Sequence, residues 1–342
     1  LAPGVPAQVR IISTGPGFID AWMDFDGDGT WNQPGEQIFA SVPVMPGINI
    51  LGLVVPPHAA VGPTYARFRL SSTGGLNYYG PAQDGEVEDY YAKIKEPPMI
   101  VNKGQAKLLP LGTDVLILRN IVTANFGQNG WYFEEPARMS SLPSDRGRSA
   151  GLGIIQNENW NIGDVVSCYG KTALVGCELM IDQYYSWLED EDEPLKHLGQ
   201  NNRNSGGGLF GSQPGLWDIN PTDNSLRPAY GLNTVGLLVR LWGRCTCVEE
   251  NAFGQANFWI DDGSSLWDGS ICHSGDNSLG VKVRVPTGYA GPVIAAGNYY
   301  AVTGIMRTES KLTPDGSQIM CVRWLWPRFD SDIDYIPDPT TP

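Results

Sequence analysis

Two long stretches of this chain repeat one pattern, and that repeat restricts the fold more than any other feature. "TDVLILRNIVTANFGQNGWYFEEP" and "NTVGLLVRLWGRCTCVEENAFGQANFWIDDG" each run from a long apolar segment, through a polar turn containing Phe-Gly-Gln, into an aromatic segment ending in acids. "AGLGIIQN" follows the first copy and "LGVKVRVP" the second. "NIGDVVSCYGKTALVGCELMI" then corresponds to "AAGNYYAVTGIMRTES" followed by "SQIMCVRWLWPR". A unit that recurs in one order has to be built twice. Five strands in this order, with glycine where the fourth begins, predict an oligonucleotide/oligosaccharide-binding (OB) type of barrel. The expected layout is a first barrel at 106–200, a loop-rich connection at 201–232, a second barrel at 233–330 and a Pro/Thr-rich tail at 331–342. The insertion "WLEDEDEPLKHLGQNNRNSGGGLFGSQPG" reads as surface loop with one short helical turn, and "SLPSDRGRS" as an interruption of the first copy.

Ahead of the repeat, residues 1–95 carry "AQVRII", "GFIDAWMDF", "EQIFASVPV", "NILGLVVP", "TYARFRLS" and "GEVEDYYAKI". Each alternates with period two between Gly, Pro or Asn signals, which reads as a strand. "KEPPMIVNKGQ" contains a proline-marked linker, taken as 96–105. With 42 glycines, 26 prolines and only 18% charged residues, the composition also suits short strands and many turns, so the fold class is all-β. A net charge of -14 disfavours a nucleic-acid partner, since phosphate binding needs a cationic surface. No stretch approaches the roughly 20 apolar residues that span a bilayer as a helix. The start at Leu1, without methionine, is expected to reflect processing or trimming.

The sharpest chemistry is "DFDGDGTWNQPGE", from Asp24 to Glu36. Asp24, Asp26 and Asp28 stand at positions one, three and five, with Gly29 at the sharp turn. Thr30 offers a carbonyl, Asn32 a side chain or water contact, and Glu36 a carboxylate. Three aspartates this close repel one another by about 1 kcal/mol or more per pair unless a cation joins them. Hard oxygen ligands at this spacing predict a Ca2+ loop. The glutamate falls one residue later than in an EF-hand and both flanks read as strands, so the loop joins strands instead of helices. The competing reading is an Asp/Gly-rich turn held by its own hydrogen bonds, with no ion.

In "YARFRLS", Tyr65, Arg67 and Arg69 share one face while Ala66, Phe68 and Leu70 share the other. Glu86 and Glu88 fall in line with Tyr90, Ala92 and Ile94. Glutamates on an apolar stripe need a partner, and a cross-strand ladder of Arg67 and Arg69 with Glu86 and Glu88 is expected. Asp84 and Asp89 are alternative oxygen donors to the loop's cation.

"GFIDAWMDFDGDGTWNQPGEQIF", "YARFRLSS" and "GPAQDGEVEDYYAKI", in this order, closely resemble the GEVED domain of secreted and surface-anchored bacterial proteins. The resemblance covers about the first quarter of the chain and implies a β-sandwich module, usually an appendage in large extracellular proteins, with no catalytic role. The repeat region, with "GLLVRLWGRCTCVEE" and "FWIDDGS", is similar to OB-like modules of uncharacterised exported bacterial proteins.

Six cysteines, Cys168, Cys177, Cys245, Cys247, Cys272 and Cys321, match no zinc spacing. Extracytoplasmic disulfides are expected, reduced core thiols being the alternative, and the spacing leaves the connectivity open. "GRSAG" around Ser149 has the letters of a nucleophile elbow but lacks the strand before it and the helix after it. His58, His197 and His273 read as loop residues, and Cys272 beside His273 cannot share a strand face with it. Asp261, Asp262, Glu134 and Glu135 end aromatic strands, where acids usually serve turns. Trp31, Trp131, Trp217, Trp267, Trp324 and Trp326 could stack sugars, although tryptophans in an all-β chain are mostly core. These signals give no enzyme. The expectation is an extracellular structural protein, stiffened by calcium and braced by disulfides, that self-assembles at a cell surface or in a matrix through terminal arms or strand edges. The alternative is a carbohydrate- or matrix-binding module.

Overall fold

The period-two runs become strands, and their unequal numbers decide where the first unit is left uncovered. The computed structural model describes residues 1–135, 150–191, 193–251, 254–313 and 315–337. Leu1–Met99 and Ile100–Pro342 form two compact units.

In the first unit, β1 (Pro6–Ser13) and β4 (Gly47–Val54) pair as a two-stranded antiparallel sheet. The other sheet has four antiparallel strands in the order β3 (Gln37–Val44), β2 (Gly17–Met23), β5 (Gly62–Ser71), β6 (Glu86–Ile94). The inner faces interleave Ile19, Ala21, Met23, Phe39 and Leu53 with the half-buried Val9, Ile11, Phe68 and Leu70. Each large side chain buried in this way contributes about 1.5–3 kcal/mol relative to leaving it in water. Two strands cannot cover four. From Glu86 to Tyr91, every residue of β6 is exposed.

The second unit holds both copies of the repeat as closed five-stranded barrels. The short β7 (Met99–Ile100) precedes it. In the first barrel, β8 (Asp114–Asn125) pairs with β9 (Trp131–Glu134), β9 with β10 (Leu152–Ile154), β10 with β12 (Glu178–Asp190), β12 with β11 (Val165–Val175), and β11 closes back on β8. Short strands follow in the connection: β13 (Leu198–Gly199), β14 (Trp217–Ile219) and β15 (Leu226–Pro228). The second barrel repeats the order with β16 (Leu238–Asn251), β17 (Gly254–Asp261), β20 (Val281–Arg284), β22 (Ile319–Trp326) and β21 (Tyr299–Leu312). Between them come the hairpin β18 (Trp267–Ile271) and β19 (Asn277–Leu279), and β23 (Ile333–Ile336) adds to β21. Within each five-stranded ring the third-to-fifth strand contact, β10–β12 or β20–β22, is parallel, and the short β13 also runs parallel to β16. This shared topology is the five-stranded Greek-key barrel expected from the repeat.

Each barrel has its own apolar filling, with Trp131 and Phe133 in the first and Phe258 and Tyr300 in the second. Ala124, Tyr132 and Met180 of the first then pack with Leu238 and Ile305 of the second. Inside this seam, Arg307 donates to Glu178 at 2.9 Å and the Tyr132 hydroxyl to the same carboxylate at 2.8 Å. The guanidinium also lies 5.1 Å from the ring centres of both Tyr132 and Trp326. A disulfide, Cys177–Cys321, crosses between the barrels, and Cys247–Cys272 ties β16 to the β18–β19 hairpin. Cys168 and Cys245 are buried thiols instead, so the disulfide expectation holds for four cysteines and the core-thiol alternative for two.

Two expected connections are partly structured. The linker at 96–105 runs into α1 (Lys103–Leu108), whose first turn is closed by a capping box between Asn102 and Gln105. The insertion read as surface loop begins inside β12, and it buries Asn202, Ser205 and Gln213 completely. Its one helical turn is the 3-10 segment Asn202–Asn204. Asn202 donates to Ile260 O at 2.6 Å, and Gln213 donates to Cys177 O at 2.9 Å.

Candidate metal centre

The acidic loop joins β2 to β3. Its start is fixed because Phe25 is buried in the sandwich core and Asp24 donates its backbone N–H to Tyr65 O at 3.1 Å. From that anchor, the Asp24 carboxylate accepts from Gly27 N at 2.7 Å and Gly29 N at 2.9 Å. Asp26 accepts from Asp28 N at 3.1 Å, and Asp28 from Thr30 N at 2.7 Å. Gly29 adopts φ +84°, a conformation that glycine enters without the steric cost a side chain would bring.

The result brings one carboxylate oxygen each from Asp24, Asp26 and Asp28 within 4.8 Å of one another. Asp24 is buried and the other two are exposed. Carboxylate oxygens carry two lone pairs each, so an oxygen that accepts one backbone N–H can still face a cation. Hydrogen bonds from Thr30 hold the Asp28 carboxyl below its ordinary range, which keeps it ionised. The donor set is hard, anionic and flexible, and it fits a divalent ion that prefers oxygen.

Glu36 is placed differently from the expectation. It is 2% exposed, and its two carboxylate oxygens accept from Phe25 N at 3.1 Å and Gln33 N at 3.0 Å. Burial raises its carboxyl above the ordinary range, with Asp26 and Asp24 adding repulsion. It therefore closes the loop from inside and does not join the aspartate cluster. The extra residue before Glu36 provides the reach to return to Phe25. Of the four expected carboxylate ligands, Asp24, Asp26 and Asp28 meet and Glu36 does not.

Trp31 ties the loop to its neighbours. Its indole donates to Tyr65 O at 3.2 Å, and the Arg67 guanidinium lies 4.5 Å from its ring centre. Arg67 makes a two-pronged pair with Asp89, at 2.7 and 2.6 Å. Hydrogen bonding from Arg67 holds the Asp89 carboxyl down. This pairing overturns the expected Arg–Glu ladder. The antiparallel register sets Arg67 opposite Asp89 and Arg69 opposite Val87, while Glu86 and Glu88 lie opposite Leu70 and Phe68. Arg69 instead donates to the carbonyls of Asn77, Tyr79 and Gly80. Asp84 accepts from Ser72 N at 3.0 Å, and neither it nor Asp89 belongs to the group of converging carboxylates.

The remaining signals disperse. His58, His197 and His273 are exposed. Asp261 and Asp262 accept from Ser265 N and Ser264 N in their turn. Glu134 accepts from Leu238 N in the barrel seam, and Glu135 lies 3.9 Å from Lys103. Trp131, Trp267, Trp324 and Trp326 are core residues, whereas Trp217 remains 37% exposed. Ser149 lies outside the described residues. Sequence reasoning missed Asp89 as the arginine partner, though the Arg67/Arg69 spacing signalled that something acidic stood across. It also missed a groove of 770 Å³ on the second barrel, where Lys282 pairs with Glu309 at 2.9 Å beside Arg284 and Tyr289.

Fold and loop define a two-sheet antiparallel sandwich with an acidic turn at one end. Residues 18–93 match the GEVED domain, whose motif letters stand at Gly85–Asp89. The OB-like expectation for the rest agrees with the closed five-stranded barrels. No curated protein matches the chain.

Proposed function

We propose that this chain is a structural protein of the cell surface or extracellular matrix. In this reading Ca2+ stiffens its sandwich, and copies join through strand edges or arms. The observation that carries it is the convergence of Asp24, Asp26 and Asp28, the only cluster of its kind among the described residues. A cation there would relieve the like-charge repulsion and fix the β2–β3 turn. Three protein carboxylates with Glu36 turned away leave room for water, which suits the 10⁻⁴–10⁻³ M affinities, in order of magnitude, of extracellular calcium modules. Two disulfides support a site outside the reducing cytoplasm. No helix among the described residues is long and apolar enough to cross a membrane. The outer face of the β1–β4 sheet exposes Ile12, Ile48, Ile50 and Val54, a surface that association would cover.

Electron microscopy and sedimentation of the purified chain in calcium and in EGTA test this reading. Filaments or layers in calcium that disperse in EGTA are expected; monomers under both conditions overturn the assembly. A second reading, carbohydrate binding, is favoured by the mixed-charge groove around Lys282, Arg284 and Tyr289. Glycan-array binding lost in R284A would promote it.

A further inference from the structure

The sandwich is a sheet of two strands over a sheet of four, and the shortfall lies at one place. β1 pairs with β4 on one side and with no described strand on the other. β6 is the edge of the larger sheet. Beside the free edge of β1, an open groove of 470 Å³ reaches the core, with Ile11, Phe68 and Leu70 among its walls. Glu86, Glu88 and Tyr90, the inward-facing residues of β6, form its far side and are exposed. Neither glutamate makes a described hydrogen bond or ion pair; Arg10 of β1 also lines the groove, exposed on the strand face opposite Val9 and Ile11, and no described ion pair joins it to either carboxylate.

We propose that this trough receives one extended strand of a partner protein, hydrogen-bonded to β1, apolar at alternate positions and carrying Lys or Arg opposite Glu86 and Glu88. The physical reasons are three. A free edge offers a row of backbone donors and acceptors in register for an added strand. The half-buried Val9, Ile11, Phe68 and Leu70 would gain the cover that a third strand of the small sheet provides. The two carboxylates then select the occupant's charge, since a like-charged strand is repelled and an apolar one leaves them desolvated without partners.

Charge also separates this occupant from a second copy. A neighbour's β1 would present Val9 and Ile11, with no cation at the inward positions. The chain's own last described strand, Ile333–Ile336, is already paired with β21 and is followed by "PDPTTP" after an acidic "DID". The inference shares the edge-joining idea of the proposed function but assigns this edge to a different protein, and it does not require calcium.

The test uses the full chain and a fluorescein-labelled nine-residue peptide of alternating Ile and Thr, with two of the inward Ile replaced by Lys. Anisotropy should show saturable binding, weakened at least tenfold when the two Lys are Glu. The doubly substituted E86K/E88K chain should reverse that preference, a result that mere unfolding cannot produce. Hydrogen exchange should slow at the amides of β1. Absence of binding, indifference to peptide charge, or protection appearing instead at Ile48–Val54 would overturn the proposal. So would protection of β1 that rises with protein concentration alone, which would mark a second copy as the occupant. Performing the titration in EGTA keeps it independent of the assembly test, because peptide binding and polymer formation can then fail separately.

Discussion

The sandwich and the barrel pair use buried polar groups for different ends. In the barrel seam, Arg307, Glu178 and Tyr132 satisfy one another, and a disulfide runs alongside. In the sandwich, the polar groups are held mainly by backbone N–H donors: Glu36 by Phe25 and Gln33, Asp24 by Gly27 and Gly29. No described disulfide falls in the first unit. The barrels close on themselves and need no further strand; the sandwich keeps an acidic turn and free edges. On the two proposals above, the first unit is where an ion and an added strand would act, whereas the second closes its sheets into barrels.

Perturbations aimed at one unit should leave the other alone. The largest effect is expected from Arg307→Leu. It strands the Glu178 carboxylate in the seam, and losing one partner of a buried pair costs about 4 kcal/mol. Chemical denaturation followed by barrel tryptophan fluorescence should report it, while exchange at β2 and β5 stays unchanged. Gly85→Ala comes next. Gly85 adopts φ +95°, and an added Cβ would lie 1.8 Å from Leu70 O, so the β5–β6 connection must move. A loss of about 3 kcal/mol is expected in the sandwich alone, from left-handed strain compounded by the clash. If the barrels weaken as much, the two units are not the separate bodies described.

A smaller effect follows from pH. Burial pushes the Glu134 carboxyl from 4.5 up to about 7. Between those values the folded protein holds a proton that the unfolded chain has released, so its contribution is complete below the lower value and fades as pH rises through the upper one. The barrel pair should therefore lose about 2 kcal/mol from this group between pH 5 and 8, an order-of-magnitude figure. Glu134→Gln should flatten that part of the profile. An unchanged slope in the variant would assign the pH dependence elsewhere.

Much of the architecture was legible because it rests on periodicity. Period-two runs with Gly and Pro between them gave the strands, and the Phe-Gly-Gln repeat gave both barrels with their order. The site was legible only in part. Asp24, Asp26 and Asp28 sit two apart on a tight turn, so local geometry alone brings them together. Glu36 depends on where β3 starts, and Asp89 depends on the β5–β6 register; a shift of one residue would have put Glu88 across from Arg67. Such registers follow from packing of the whole sheet and not from a short stretch of sequence. The buried insertion around Asn202 and Gln213 was hidden for a similar reason. Its polar residues look like loop until Ile260 and Cys177 are seen to supply their hydrogen-bond partners. The helix after the linker did have a readable signal, the Asn102 to Gln105 capping spacing.

The most direct test is hydrogen exchange on the full chain, in saturating calcium and in EGTA, with a D24N/D26N/D28N variant beside it. An ion present at a hundred times its dissociation constant stabilises what it binds by about 2.7 kcal/mol. Calcium should slow exchange roughly a hundredfold in the Asp24–Glu36 loop and its flanking strands, leave both barrels unchanged, and have no effect on the triple variant. Identical exchange with and without calcium, or slowing that survives removal of all three carboxylates, would contradict the account.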